Sequence, residues 1–261
     1  MVLLSFLVVT GCSRRDILDD YPVSGVEVRL DWSGVTEKLP EGVRIIFYPK
    51  DEKGRKIDTY LSVTGGEVKV PSGHYAVVIY NYDTETVLIR GEESYETIQA
   101  YTNFCKLGIA GTEKMVWGPD PLYVVNIDDL DIQNSEETLI LKLKPKLVIR
   151  TYSFSIKVQG LSNVSNVIGS IGGMADHYFL GKAYAMCDDY PINIDLNVKA
   201  GKIEGVFTTF GLPEAIITRL EIKLPVMMNL MIIKVDNSVQ EVKINITEAV
   251  QEPTGGGEGG E

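Results

Sequence analysis

The stretch Ile192-Asn193-Ile194-Asp195-Leu196-Asn197-Val198-Lys199 alternates an apolar with a polar residue at every step. A period of two puts the apolar side chains on one side of an extended backbone and the polar ones on the other, so the stretch predicts a strand with one buried face. The pattern recurs along the chain. Val26, Val28, Leu30 and Trp32 interleave with Glu27, Arg29 and Asp31, and Phe154, Ile156 and Val158 interleave with Ser155 and Lys157. Val242, Ile244 and Ile246 do the same with Lys243, Asn245 and Thr247. Turn residues punctuate these runs at Pro40-Glu41-Gly42, Lys53-Gly54, Gly65-Gly66, Pro71-Ser72-Gly73, Gly172-Gly173 and Ala200-Gly201. No long helical pattern intervenes to make the crossovers of a parallel sheet. The fold class is therefore all-β, built as antiparallel β-sandwiches. Helix candidates are confined to Ser94–Asn103 and a turn near Pro213–Ile217.

Leu139, Leu141 and Leu143 close one strand-rich unit, and Lys144-Pro145-Lys146 marks a junction where a proline suits an edge or a crossing. Two tandem sandwiches are expected, over residues 24–145 and 146–248. A signal segment (1–11) and a polar tether (12–23) precede them, and a Gly/Glu-rich tail expected to be disordered (249–261) follows. The segment Pro225–Ile233 is apolar without alternation, which fits a central strand covered on both faces or, alternatively, a groove wall or exchanged strand.

Composition removes several function classes. Lys plus Arg number 25 against 36 Asp plus Glu, a formal net charge of −11, so no nucleic-acid partner is expected. Two histidines (His74, His177) and three cysteines (Cys12, Cys105, Cys187) are too few to suggest a zinc or iron–sulfur centre, and no metal or other cofactor is expected. Cys105 and Cys187 read as isolated thiols in different units. His74 opens a strand behind Gly73, and His177 lies beside Asp176 in a loop or at a strand edge. Neither is matched to a nucleophile. Paired carboxylates such as Asp19/Asp20, Glu92/Glu93 and Asp188/Asp189 are unspecific. Asn126–Asp131 has oxygen donors without the glycine and closing glutamate of an EF-hand loop, and reads as a solvated acidic loop. No catalytic constellation emerges, and no enzyme is expected. The 13 tyrosines leave one ligand-binding reading: Tyr75, Tyr80, Tyr82, Tyr95 and Tyr101 could stack against a glycan, since a phenol ring offers an apolar face and a polar edge.

The chain opens with an apolar run, Val2–Val9, too short to span a bilayer and of the size of a secretory signal core. Val9-Thr10-Gly11-Cys12 resembles a bacterial lipobox, in which small residues let a peptidase reach the backbone before the cysteine. Residues 1–11 lack the Lys or Arg that usually begins such a signal. The resemblance implies that Cys12 becomes an acylated N-terminus. At about 0.8 kcal/mol per buried methylene, several acyl chains would hold the protein on a membrane without any transmembrane helix. The competing reading is a buried N-terminal strand, against which the polar Ser13-Arg14-Arg15-Asp16 argues.

Further residues extend the resemblance: Asp31-Trp32 at the end of the first strand, Pro40-Glu41-Gly42-Val43-Arg44-Ile45-Ile46-Phe47-Tyr48-Pro49, and the run from Val70-Pro71-Ser72-Gly73 to Tyr82-Asp83-Thr84-Glu85. Over residues 12–105 the chain resembles cell-surface lipoproteins of Bacteroidetes related to fimbrillin-associated anchor and minor-subunit proteins. That family implies two transthyretin-like sandwiches on a lipid tether at the outer membrane, contacts with fimbrial polymer subunits, and no enzymatic activity. Its one residue-level implication is lipidation of Cys12.

Overall fold

A computed structural model describes residues 23–51, 54–105, 114–199, 201–214 and 225–250. Cys12, the signal segment, the tether up to residue 22 and the tail beyond Val250 lie outside the described residues. The strands are β1 (Val23–Leu30), β2 (Gly42–Pro49), β3 (Ile57–Ser62), β4 (Gly65–Pro71), β5 (Gly73–Asn81), β6 (Val87–Arg90) and β7 (Gln99–Thr102). Next come β8 (Phe104–Cys105), β9 (Met115–Val116), β10 (Tyr123–Ile132), β11 (Leu139–Leu143), β12 (Lys146–Leu147) and β13 (Arg150–Lys157). The remainder are β14 (Val164–Gly172), β15 (His177–Phe179), β16 (Tyr184–Met186), β17 (Ile192–Lys199), β18 (Lys202–Thr209), β19 (Met227–Lys234) and β20 (Val239–Asn245).

The first eight-stranded sheet runs β11-β1-β4-β3-β2-β5-β10-β12. Val26, Val28 and Leu30 of β1 and Val68 and Val70 of β4 pack against Val43, Ile45 and Phe47 of β2 and Tyr75, Val77 and Ile79 of β5. Strands of one sheet thus share one core, which requires the sheet to curl into a half-barrel. The departure from antiparallel order is β1 on β11, parallel from Val26↔Leu139 to Leu30↔Leu143. A tight hairpin forces antiparallel pairing, whereas strands this far apart in sequence are free to align either way.

The other face of β2 and β5 is buried too. Ile46, Tyr48, Ala76, Val78 and Tyr80 join Val87, Ile98 and Ala100, together with Ala175, Leu180, Ala185 and Phe210. That is why Tyr75-Ala76-Val77-Val78-Ile79-Tyr80 carries so little polar alternation. The cover over this face is a four-stranded sheet, β16-β15-β7-β6, with His177 opposite Tyr101 and Tyr101 opposite Leu88. It takes two strands from each side of position 145/146. The chain crosses that position between β11 and β12, and β12 itself pairs with β10 of the first sheet.

The second half follows the order β13-β18-β17-β14-β19-β20. Within β17, Ile192–Ile194 pairs with β14 while Asp195–Lys199 pairs with β18, so this strand turns the corner between two layers. Ile192, Ile194, Ile203, Phe207, Ile171, Met228 and Leu230 fill the space between them. β19 is flanked by β14 and β20, the central position that its lack of apolar–polar alternation suggested, although only one of its faces is fully buried. It sends Met228 and Leu230 inward, while Met227, Asn229 and Met231 are half-buried on the other side.

Two local expectations are corrected. Ser94–Asn103 is not a helix: a turn closed by Thr97 and Ile98 N–H on the Ser94 carbonyl leads into β7. A helix this short is marginal alone, whereas Gln99–Thr102 finds ladder partners on both sides. Asn126–Asp131 is no loop but part of β10, with a bulge between Ile127 and Leu130 that presents Asp128 and Asp129. Of the Pro213–Ile217 candidate, residues 215–217 lie outside the described residues.

Candidate functional site

The five tyrosines do not share a surface. Strand parity separates them: Tyr75 faces the half-barrel core with Val77 and Ile79, edge-on to Phe47 at 6.0 Å, while Tyr80 faces the opposite cluster with Ala76 and Val78. Tyr75, Tyr80 and Tyr95 are buried, and burial pushes all three phenols up, those of Tyr80 and Tyr95 far above their usual range. A single five-ring platform is therefore not formed, because three of its rings are core. Tyr101 is half-buried beneath the Arg90 guanidinium, 4.7 Å from its ring centre. Tyr82 remains exposed and meets Tyr60, the most exposed of the ring partners at 61%, edge-on at 5.2 Å.

Beside that pair sits a junction that the residue-type reading missed. The Arg44 guanidinium of β2 donates to both carboxylate oxygens of Asp58 (2.9 and 2.7 Å), to both of Glu92 (3.1 and 2.8 Å), and to the Tyr80 hydroxyl oxygen (2.8 Å). Its carbon lies 5.8 Å from the Tyr60 ring centre and 5.9 Å from that of Tyr80. Asp58 first, then Glu92, holds the arginine even more firmly protonated than usual. Glu92 belongs to the connection between β6 and β7, and its carbonyl accepts from the Tyr48 hydroxyl and Lys56 Nζ, both at 3.1 Å. Arg44 thus clamps the half-barrel to the small sheet.

A cleft of about 510 Å³ opens next to this clamp, lined by Tyr48, Tyr95, Lys50, Lys56, Asp128 and Lys182 among others. The Tyr95 hydroxyl donates to Asp128 at 2.8 Å, and Lys182 pairs with Glu96 at 2.9 Å while lying 5.3 Å from the Tyr95 ring centre. Gly181 approaches so closely that a Cβ there would stand 2.1 Å from the Tyr95 carbonyl oxygen. Asn126 Nδ2 donates to the Gly181 carbonyl at 3.2 Å.

His74 is exposed, its Nδ1 3.3 Å from Asp129 Oδ1, which also receives Lys50 Nζ at 3.1 Å. Lys50, then His74, holds the Asp129 carboxyl below its usual range. His177 is buried with Asp176, Nδ1 to Oδ1 2.6 Å. Among the described residues neither histidine hydrogen-bonds a serine, threonine or cysteine side chain. Cys105 and Cys187 are free, and burial pushes the Cys187 thiol up to about 11. Such a thiol is a poor nucleophile.

The described strands define the class, an all-β protein of sandwich-like half-barrels bridged by a small four-stranded sheet. The crystal structure of a candidate adhesin from Bacteroides ovatus superposes with a TM-score of 0.82 at 51% identity, covering 95% of this chain and 93% of that one. The fimbrial anchor protein Mfa2 from Porphyromonas gingivalis shares the fold at a TM-score of 0.55 and 14% identity, over 88% of this chain and 85% of its own. The chain belongs to the family described as Domain of unknown function (DUF5119), which it matches over residues 11–195. A Bacteroides ovatus protein named as a candidate fimbrium anchoring subunit, Fim4B, is 52% identical across 100% of this chain and 82% of its own length. The likeness to Bacteroidetes fimbrial anchor proteins, read first from residues 12–105, thus extends along the whole chain.

Proposed function

We propose that this protein is a non-enzymatic accessory subunit that anchors a fimbria-like assembly at the cell surface, held to the outer membrane by acyl chains on Cys12. The observation that carries the reading is the 52% identity, along the whole chain, to a candidate fimbrium anchoring subunit. The lipobox-like Val9-Thr10-Gly11-Cys12 supports the tether, and the likeness to proteins named as a fimbrium anchoring subunit and an adhesin supports the non-enzymatic role. Fimbrial polymer subunits are the partner this role requires. In-cell cross-linking and pull-down of the intact chain beside Cys12→Ala tests it. Recovery of a polymer subunit with the wild type, and its release to the medium with the variant, is the expected result. Recovery of the protein alone on the membrane would refute the anchoring role.

A second reading, glycan binding, keeps one specific observation. The exposed Tyr82–Tyr60 pair stands beside the Arg44–Asp58 ion pair, so apolar ring area and fixed hydrogen-bonding groups share one surface. Glycan-array binding by the wild type that disappears in Tyr60→Ala and Tyr82→Ala would establish it. An array signal unchanged by both substitutions would remove it.

A further inference from the structure

A group of ligand-type side chains stands apart from both the tyrosines and the Arg44 clamp. Asp176 and His177 lead into β15, Asp188 follows β16, and the hairpin between them brings the three together. Asp176 Oδ1 lies 2.6 Å and Asp188 Oδ2 3.9 Å from His177 Nδ1. One donor atom from each residue falls within 4.8 Å of the other two. Asp176 and His177 are only 6% and 5% exposed, whereas the Asp188 side chain, at 54%, forms the mouth of the group.

Asp176 Oδ1 is the hydrogen-bond partner of Nδ1; Asp188 Oδ2 stands beyond hydrogen-bond distance and also lies 3.8 Å from Arg90 Nη2, so two carboxylates face one imidazole with a guanidinium at the mouth. Buried carboxylate charge persists only where cations or hydrogen bonds compensate it. The far oxygen of Asp176 is already committed: Oδ2 accepts the N–H of Asp188 at 2.9 Å and of Tyr190 at 3.4 Å. That turn is made by Asp189 in the left-handed region, φ 64°. The backbone therefore fixes the Asp176 carboxylate with Oδ1 turned to Nδ1. Outer hydrogen bonds of this kind orient the ligands of metal ions.

We propose that Asp176, His177 and Asp188 bind a first-row divalent cation such as Zn²⁺ or Mn²⁺, with water completing its coordination. One imidazole with two carboxylates suits these ions, whereas Ca²⁺ and Mg²⁺ prefer sites made wholly of oxygen. Ligand distances of about 2.0–2.2 Å require Asp176 Oδ1 and His177 Nδ1, hydrogen-bonded at 2.6 Å, to part by about half an ångström as the ion enters, and the exposed Asp188 to turn inward. Nδ1 gives its lone pair to the ion, and any proton it carries passes to solvent. Counting two histidines in the sequence argues against a metal centre; placing one of them between two aspartates argues for one. Since all three ligands lie on the β15–β16 hairpin and its flanks, the ion would fasten that hairpin.

The full chain, freed of metal with chelator and titrated with ZnCl₂ or MnCl₂, tests the site by bound metal per chain and by thermal melting. One equivalent of ion is expected, with Tm raised by roughly 5 °C at about one hundred times Kd. Asp188→Asn, an exposed substitution that leaves the core untouched, is expected to weaken binding by about tenfold or more. Cys187→Ser, next to the group but outside the donor set, is expected to bind as the wild type does. Less than one equivalent at saturating metal, undiminished binding by Asp188→Asn, or loss of binding in Cys187→Ser overturns the proposal.

Discussion

Arg44 of the first sheet and Glu92 of the connection between β6 and β7 meet through two hydrogen bonds, the shorter 2.8 Å. With Asp58 on the other side of the same guanidinium, the pair fixes the small sheet to the half-barrel. Replacing Arg44 by Met leaves two carboxylates and a buried phenol facing each other. A loss of about 2–3 kcal/mol is expected. Arg44→Lys should recover little of it, because an ammonium does not reproduce the planar two-sided fork. Urea unfolding of the three chains measures both differences.

Gly181→Ala reports on contact between the two halves. A Cβ at this position meets the Tyr95 carbonyl at 2.1 Å, and backbone on both sides must move to admit it. An overpacking cost of about 2–3 kcal/mol is expected by urea unfolding. Gly181 is not in the left-handed region, so contact alone acts there; Gly160→Ala, with φ +80° and nothing within 4 Å of the added carbon, measures the opposite case of strain alone.

Alkaline pH should destabilise the chain. Burial raises the phenols of Tyr48, Tyr80 and Tyr95, and the Cys187 thiol to about 11, so the folded state holds these protons more tightly than the unfolded one. Their stabilisation is complete below the unfolded values, near 9 for the thiol and 10 for the phenols, and is lost as pH rises above them. The urea midpoint is expected to fall between pH 8 and pH 10.5, with tyrosinate absorbance from these rings emerging only on unfolding. In the same frame, Cys187 at pH 8 should react with a thiol reagent about one hundredfold more slowly in the folded chain than after unfolding.

The strands with one wet face were legible from alternation alone, as β1, β13, β17 and β20 show. β7 was not, because Gln99–Thr102 is four residues long and takes its identity from partners at 87–90 and 177–179, which no local pattern reveals. The tyrosines carry a readable signal that residue type obscures: 75 and 80 differ by an odd number along one strand, so their rings had to point to opposite faces. The Asp176–His177–Asp188 group depends on hairpin register, and the Arg44 clamp on the meeting of two sheets. Both are facts of tertiary structure.

The division at residue 145/146 makes a further prediction. Ala175, Leu180, Ala185 and Phe210 complete the cluster over Ile46, Val78 and Tyr80, so a chain ending at residue 145 exposes that face to water. Such a fragment is expected to bind a hydrophobic dye and to unfold without a sharp transition, whereas the full chain melts cooperatively. Within the full chain, Leu180→Ala should cost about 3 kcal/mol, since the side chain is fully buried in this cluster.

Deleting the gene in its native host and measuring where the surface polymer goes tests the anchoring claim most directly. Polymer is expected still to form but to be shed into the medium, with attachment restored by wild type and not by Cys12→Ala. Polymer that stays on the cells at the wild-type level after deletion would contradict it.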